Sequence, residues 1–257
     1  MTISLGNALK SVKEDSHWLK KVFIGGLIYL VSLIGEAMLE AKGVHIAVKA
    51  SGIVLYLIFY SILLGFMVST TNKKINGDFT GWTEWSEPNI FLKGLKCMLC
   101  YFVYTLLLSF ICCFTIFVIA AVVVLIGYVI NMILQLNPQI TEIFMIIVGG
   151  TAFVVVFLYL IQFFNVGYLY YCKNFKFRDL MAIKKQFMII ADNQHAAWTL
   201  VGKIILYTLL LVLVSIIACI TLIGIFLLPF ICFAFFMALV DLLVQYGKKI
   251  NTDKYLS

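Results

Sequence analysis

Few residues of this chain combine the side chains and the spacing that catalysis would require. Asp78, Glu84 and Glu87 lie in one short stretch with Trp82 and Trp85, and these acids are the best candidates for acid–base chemistry. Acids in such a loop more often stay solvated or pair with neighbouring lysines. The sequence contains no Walker loop, no GxGxxG motif and no nucleophile elbow. We therefore predict no catalytic residue, no cofactor and no enzymatic activity.

The cysteines offer little support for a metal or redox site. Cys97 and Cys100 form a CxxC motif, but the sequence has no second CxxC and no histidine near this one. Nearly all seven cysteines lie within apolar runs, where they usually serve as small apolar packing residues. We therefore predict no metal site.

Ionisable groups inside apolar runs often mark an ion or proton pathway. Glu36 and Glu40 lie about one helical turn apart at the end of the first run; we expect an exposed helix end, with a cation site as the alternative. Asp241 lies in the last predicted span, and we predict that it pairs with Lys248 or Lys249, with a proton relay as the alternative. So few charged groups weaken the case for ion-coupled transport.

Neutral polar and small residues complete the set of candidates. Gln162 and Asn165 are three residues apart and share a helix face, so we predict interhelical hydrogen bonds there, with a substrate contact as the alternative. Glycines in the apolar runs are expected to permit close helix packing: Gly25, Gly26 and Gly35, or Gly149 and Gly150.

The elements that carry these residues follow from composition. Hydrophobic residues make up 63% of the chain and charged residues only 12%, whereas soluble domains have about 25% charged residues. Long uncharged runs must pair every backbone amide internally if they lie in hydrocarbon, and they lack the alternation of barrel strands. We therefore predict an all-α polytopic transmembrane helix bundle of about six spans, in one integral membrane domain over 1–257. The predicted spans are 22–39, 51–70, 97–126, 143–172, 204–221 and 224–246.

Two runs are longer than one crossing requires. The run 204–240 would reach about 55 Å as one helix, so we predict a turn at 221–224. The run 97–141 could cross once or twice. A single crossing places 17 of the 19 Lys and Arg residues on one side and leaves only Lys42 and Lys49 on the other. The positive-inside rule therefore favours one crossing, with both termini cytoplasmic in a multi-pass cell-membrane protein.

Basic amphipathic segments precede several spans and suit helices that lie in the headgroup layer. They recur near 5–19, 72–96 and 180–190, and whether this reflects an internal repeat stays open. The residues predicted as interfacial anchors are Trp18, Lys20, Lys21, Trp82, Trp85 and Trp198. With a net charge of +7, we expect anionic inner-leaflet lipids as partners and no nucleic acid.

Several segments carry a family resemblance. They are WLKKVFIGGLI at 18–28, LLGF at 63–66, GWTEWSEPNIFLKGLK at 81–96, IGIFLLPF at 223–230 and VQYGKK at 244–249. Together they resemble the domain-of-unknown-function 4013 family of small archaeal and bacterial membrane proteins. The proline that usually precedes the first tryptophan of that loop is absent here, where Thr80 and Gly81 stand. The resemblance implies an integral membrane location and a multi-helix fold, and it brings no known activity.

Two functions fit these features. We predict a non-enzymatic membrane scaffold or accessory protein that associates with lipids, with other membrane proteins or with copies of itself. The alternative is a permease-like component for an apolar or lipid-like substrate, which the polar pair Gln162 and Asn165 would contact.

Overall fold

A computed structural model of the chain describes residues 3–43, 45–77, 81–134 and 138–250. These residues form helices and no strand, which confirms the all-α prediction. The helices are α1 (Leu5–Glu14), α2 (Trp18–Glu40), α3 (Ile46–Asn76), α4 (Ile90–Leu134), α5 (Pro138–Asn174), α6 (Phe177–Leu180), α7 (Ile183–Asp192), α8 (Gln194–Cys219) and α9 (Leu222–Lys249).

Six of these helices are long and apolar enough to cross a membrane, as predicted. The qualifying segments are Trp18–Glu40, Ile46–Asn76, Ile90–Val129, Glu142–Asn174, Gln194–Cys219 and Ile223–Lys249. A polytopic helical bundle is therefore the fold class of this chain.

Side-chain caps define where several helices begin. Ser4 accepts a hydrogen bond from the backbone N–H of Asn7 at the start of α1. Thr221 separates α8 from α9, because its hydroxyl accepts the N–H of Gly224 at 3.0 Å. The chain therefore breaks at Ile220 and Thr221, at the start of the predicted turn 221–224, whose other three residues begin α9.

The chain divides into two compact units, Met1–Tyr101 with Asn165–Ser257, and Phe102–Phe164. In the first unit, α2 packs against α3 and α9, α8 packs against α9, and α1 lies on α9. Glycines allow helix backbones to approach one another closely there. A Cβ atom on Gly94 would lie 1.6 Å from the carbonyl oxygen of Ser61, and a Cβ on Gly35 would lie 2.8 Å from that of Gly52.

The second unit, Phe102–Phe164, consists of parts of α4 and α5. The hydroxyl of Tyr104 donates to the carbonyl of Phe163 at 3.1 Å. Large apolar side chains such as Phe110, Phe117 and Met132 are exposed on this unit, as lipid-facing residues are. A Cβ atom added to Gly149 or Gly150 would meet no atom of another described segment within 4 Å, so the close packing expected of these glycines is not seen.

Candidate functional site

The first unit brings four acids and four lysines together into three ion-paired groups, which we call the polar network. Its acids are Asp15, Glu84, Glu87 and Asp241, and its lysines are Lys21, Lys73, Lys74 and Lys93. These residues come from the C-cap of α1, the start of α2, the end of α3, the segment 81–89, the start of α4 and the second half of α9. The fold therefore gathers distant parts of the sequence around paired charges.

The first group centres on Lys21, which is only 3% exposed. Its ammonium lies 2.8 Å from the carboxylate of Asp15 and 2.7 Å from that of Glu84, and it also donates to the carbonyl of Trp82. Asp15 accepts the backbone N–H groups of His17 and Trp82 as well. Burial opposes the charged form of Asp15, but the bonds from Lys21 and these N–H groups outweigh it and lower its pKa. Asp15 is thus held as a carboxylate.

The second group centres on Glu87. Its carboxylate lies 2.5 Å from the ammonium of Lys73 and 2.6 Å from that of Lys93, and it accepts the hydroxyl of Thr83. Burial raises the pKa of Glu87, but these three donors outweigh burial and lower it to about 2. Lys93 also lies over the ring of Phe175, 5.5 Å from its centroid. Glu87 therefore stays ionised at any physiological pH.

The third group joins α3 to α9 and corrects a prediction. The ammonium of Lys74 lies 2.5 Å from the carboxylate of Asp241, which also accepts the hydroxyl of Ser11. Both charged side chains are buried, at 5% and 6% exposure. The predicted pairing of Asp241 with Lys248 or Lys249 is wrong. Residues seven or eight apart on one helix are separated by about 10–12 Å along its axis, and Asp241 faces α1 and α3 instead.

The aromatic side chains of the segment 81–89 pack against α3 and α9 next to the polar network. Trp82 is 1% exposed and contacts Phe233 edge to face, with ring centroids 6.4 Å apart. Trp85 stacks on Phe66 with centroids 3.9 Å apart. The segment 81–89 is therefore built into the first unit and does not lie loosely on its surface.

The other predicted anchors occupy different environments. Lys20 and Trp198 are exposed, Trp18 is half-buried, and Lys21 is enclosed by the polar network. Lys21 and Trp82 were predicted as interfacial anchors because lysine and tryptophan are common at the membrane interface. Their burial was not predicted, because their partners Asp15 and Phe233 come close to them only in the folded chain.

The remaining polar candidates take part in none of the ion pairs of the polar network. Gln162 is 2% exposed, and neither atom of its amide group has a hydrogen-bond partner among the described residues. The amide nitrogen of Asn165 is also buried without a partner there. Glu36 and Glu40 are exposed, as expected for a helix end.

The last candidates from the sequence are Cys97, Cys100 and Asp78. Cys97 and Cys100 are buried thiols. Across the described ranges, no three His, Cys, Asp or Glu side chains are arranged to hold a metal ion. Asp78 lies outside the described residues.

The six apolar helices define a polytopic α-helical membrane protein, and the polar network joins eight charged side chains in its first unit. Comparison with models of known protein families, with curated proteins and with solved structures found no match. The resemblance to the domain-of-unknown-function 4013 family therefore stays a prediction.

Proposed function

We propose that this membrane protein is a non-enzymatic scaffold or accessory protein, and that the polar network forms the rigid base of its interaction surface. The observation that carries the proposal is that each acid of the network is held by at least one lysine ammonium. Four acids and four lysines balance in charge, so the network compensates itself. We propose that the polar network holds the helices of the first unit in fixed positions.

The state of the loop acids argues against catalysis. An efficient general acid or base has a pKa near the working pH. The pKa of Glu87 is about 2, and its carboxylate is already occupied by Lys73, Lys93 and Thr83. Glu84 is 62% exposed and pairs with Lys21. These groups are suited to joining chain segments, and poorly suited to moving protons.

The network supports an exposed basic surface. Lys10 and Lys13 on α1, and Lys20 at the start of α2, are exposed, whereas Ala8 and Val12 on α1 are buried. Such a surface can attract anionic inner-leaflet lipids and acidic patches of other membrane proteins. We place it, with both termini, on the cytoplasmic side, because the distribution of Lys and Arg follows the positive-inside rule.

Site-specific photocrosslinking in native membranes tests the proposal. A benzophenone amino acid replaces Lys13 in one variant and Lys42, an exposed residue beyond the other end of α2, in the control. We expect one reproducible crosslinked protein from position 13 that is absent from position 42. The same protein should be recovered with the chain in mild detergent at native expression. Recovery of this chain alone, with identical crosslinks from both positions, would contradict a scaffold role.

A permease-like function is the second candidate, and Gln162 is the observation that favours it. A buried amide without a partner costs about 1–3 kcal/mol, and a transported polar group or lipid ester could satisfy it. Flux of a lipid-like substrate in proteoliposomes should then fall when Gln162 is replaced by Leu. Unchanged flux, in a variant that stays folded, would remove this candidate.

A further inference from the structure

A cluster of basic residues lies at the end of α5, and none of them belongs to the polar network. Here the structure contains a cavity of about 580 Å³. Its polar lining comes from α5, α6 and α7: Tyr170, Asn174, Lys176, Arg178, Asp179 and Lys185.

A tight turn and two internal contacts build this cavity. α5 ends at Asn174, and Phe175 follows in the left-handed region with φ of 53°, its N–H donating to the carbonyl of Tyr171 at 2.7 Å. This turn leads directly into α6. Gln186, fully buried in α7, donates to the carbonyl of Leu180 at the end of α6 at 2.7 Å. The turn and this hydrogen bond therefore fix the backbone that carries the basic residues.

The electrostatics of the cavity favour an anion. Three cationic side chains and one carboxylate line it, and that carboxylate, of Asp179, already accepts the amide of Asn174 at 2.9 Å. The exposed carbonyls at the end of α5 would oppose an anion. Asn72 covers those of Cys172 and Lys173, to which its amide donates at 2.6 and 2.9 Å. The net charge of the lining is thus +2, and these two carbonyls at the end of α5 are already occupied by hydrogen bonds.

Arg178 gives the cavity its chemical character. It is the one arginine among the 19 basic residues of the sequence. A guanidinium presents a planar fork of donors that matches two phosphate oxygens, whereas an ammonium acts as a point charge. We propose that this cavity binds a phosphate group through Arg178, with Lys176 and Lys185 as supporting charges.

The place of the cavity suggests a source for the phosphate. It adjoins the last residues of the candidate span Glu142–Asn174, the depth at which phospholipid headgroups lie. An anionic phospholipid and a soluble phosphate ester share the chemistry that the site recognises. The inference rests on the proposed function in that it specifies the lipid partner proposed there.

The test uses the purified full chain in mild detergent. Binding of phosphatidylglycerol, phosphatidylcholine and glycerol 3-phosphate is measured by titration, with thermal melting as a check of folding. Three variants alter the site: R178Q, R178K and K185Q. K184Q is the matched control, because it removes one charge from an exposed neighbour on the same helix that does not line the cavity.

We expect phosphatidylglycerol to bind more tightly than phosphatidylcholine. R178Q should weaken that binding by about tenfold, as for one lost charge-assisted pair. R178K should weaken it measurably, K185Q by a few fold, and K184Q hardly at all. Comparable binding of glycerol 3-phosphate, lost in the same variants, would assign the site to a soluble phosphate ester.

Two results would overturn the proposal. One is no binding of either anionic probe to the folded protein. The other is equal loss in K184Q and K185Q, which would mean that diffuse surface charge attracts the lipid. The detergent assay needs neither a protein partner nor a membrane orientation, so its failure would leave the crosslinking test of the scaffold role untouched.

Discussion

The buried pair of Lys74 and Asp241 offers the sharpest test of the polar network. It connects α3 to α9, 167 residues apart in sequence, with 2.5 Å between ammonium and carboxylate. We consider Lys74→Met and Asp241→Leu, separately and together. Each replacement is apolar and of similar length, so the change removes charge without leaving a large cavity.

The expected magnitudes follow from the burial of both groups. Removing one partner of a buried ion pair leaves an uncompensated charge and costs about 3–5 kcal/mol. Lys74→Met should fall at the lower end, because Asp241 keeps the hydroxyl of Ser11. Asp241→Leu should fall at the upper end, because it removes the carboxylate that Lys74 contacts. The double variant should lie within about 1 kcal/mol of the wild type, or above it, because neither charge remains.

Unfolding of the purified protein by dodecyl sulfate in mixed micelles, followed by tryptophan fluorescence, measures these free energies. Lys73→Met is the matched control. The side chain of Lys73 is 42% exposed, and Glu87 keeps Lys93, so its loss should cost less than about 1 kcal/mol. Single variants of the buried pair that cost as little as Lys73→Met would refute the reasoning. A double variant as unstable as the worse single variant would also refute it.

Two further predictions concern stability and are tested by the same unfolding measurement, and a third concerns membrane topology. Gly94→Ala should destabilise the chain by about 3 kcal/mol or more, since the added carbon would lie 1.6 Å from the Ser61 carbonyl, whereas Gly150→Ala should be neutral or stabilising by up to about 1 kcal/mol. Because the pKa of Glu87 is lowered to about 2, its stabilisation is complete above pH 5 and is lost as pH falls toward 2; Glu87→Gln should abolish this part of the unfolding profile. In a cysteine-free background, an impermeant maleimide should label cysteines at three positions from the cytoplasmic side and a cysteine at Lys42 from the other. The three positions are Lys20, Lys184 and Lys248.

Hydropathy was sufficient to predict the helices but not where they end. The spans at 51–70 and 97–126 were predicted to stop or start near the first lysines. In the structure, α3 continues to Asn76 and α4 begins at Ile90. Charged residues can extend these helices because Lys74 and Lys93 are neutralised by Asp241 and Glu87. Such pairing depends on tertiary contacts, which a count of apolar residues does not include.

Contacts between residues close in sequence were predicted, whereas contacts that depend on the tertiary fold were missed. Pairing of the loop acids with nearby lysines was anticipated, and Glu87 does pair with Lys73 and Lys93, which are close in sequence. The partner of Asp241 was missed, because two acceptable lysines lay in the same helix and the true partner lay in another. The phosphate cavity was missed as well. Its signal was the lone Arg178, which lines the cavity together with residues from both sides of the turn at Phe175.

The polar network also bears on the proposed orientation. Its four lysines are paired with acids of the same network, so they contribute no net charge to that side. Excluding them reduces the basic residues on the predicted cytoplasmic side from 17 to 13, still against two on the other. The asymmetry therefore persists in the folded protein through exposed residues such as Lys10, Lys13 and Lys184. If the lysines that remain after internal pairing hold the chain to an anionic leaflet, replacing exposed lysines should weaken its attachment to that leaflet, whereas breaking the network should weaken its fold.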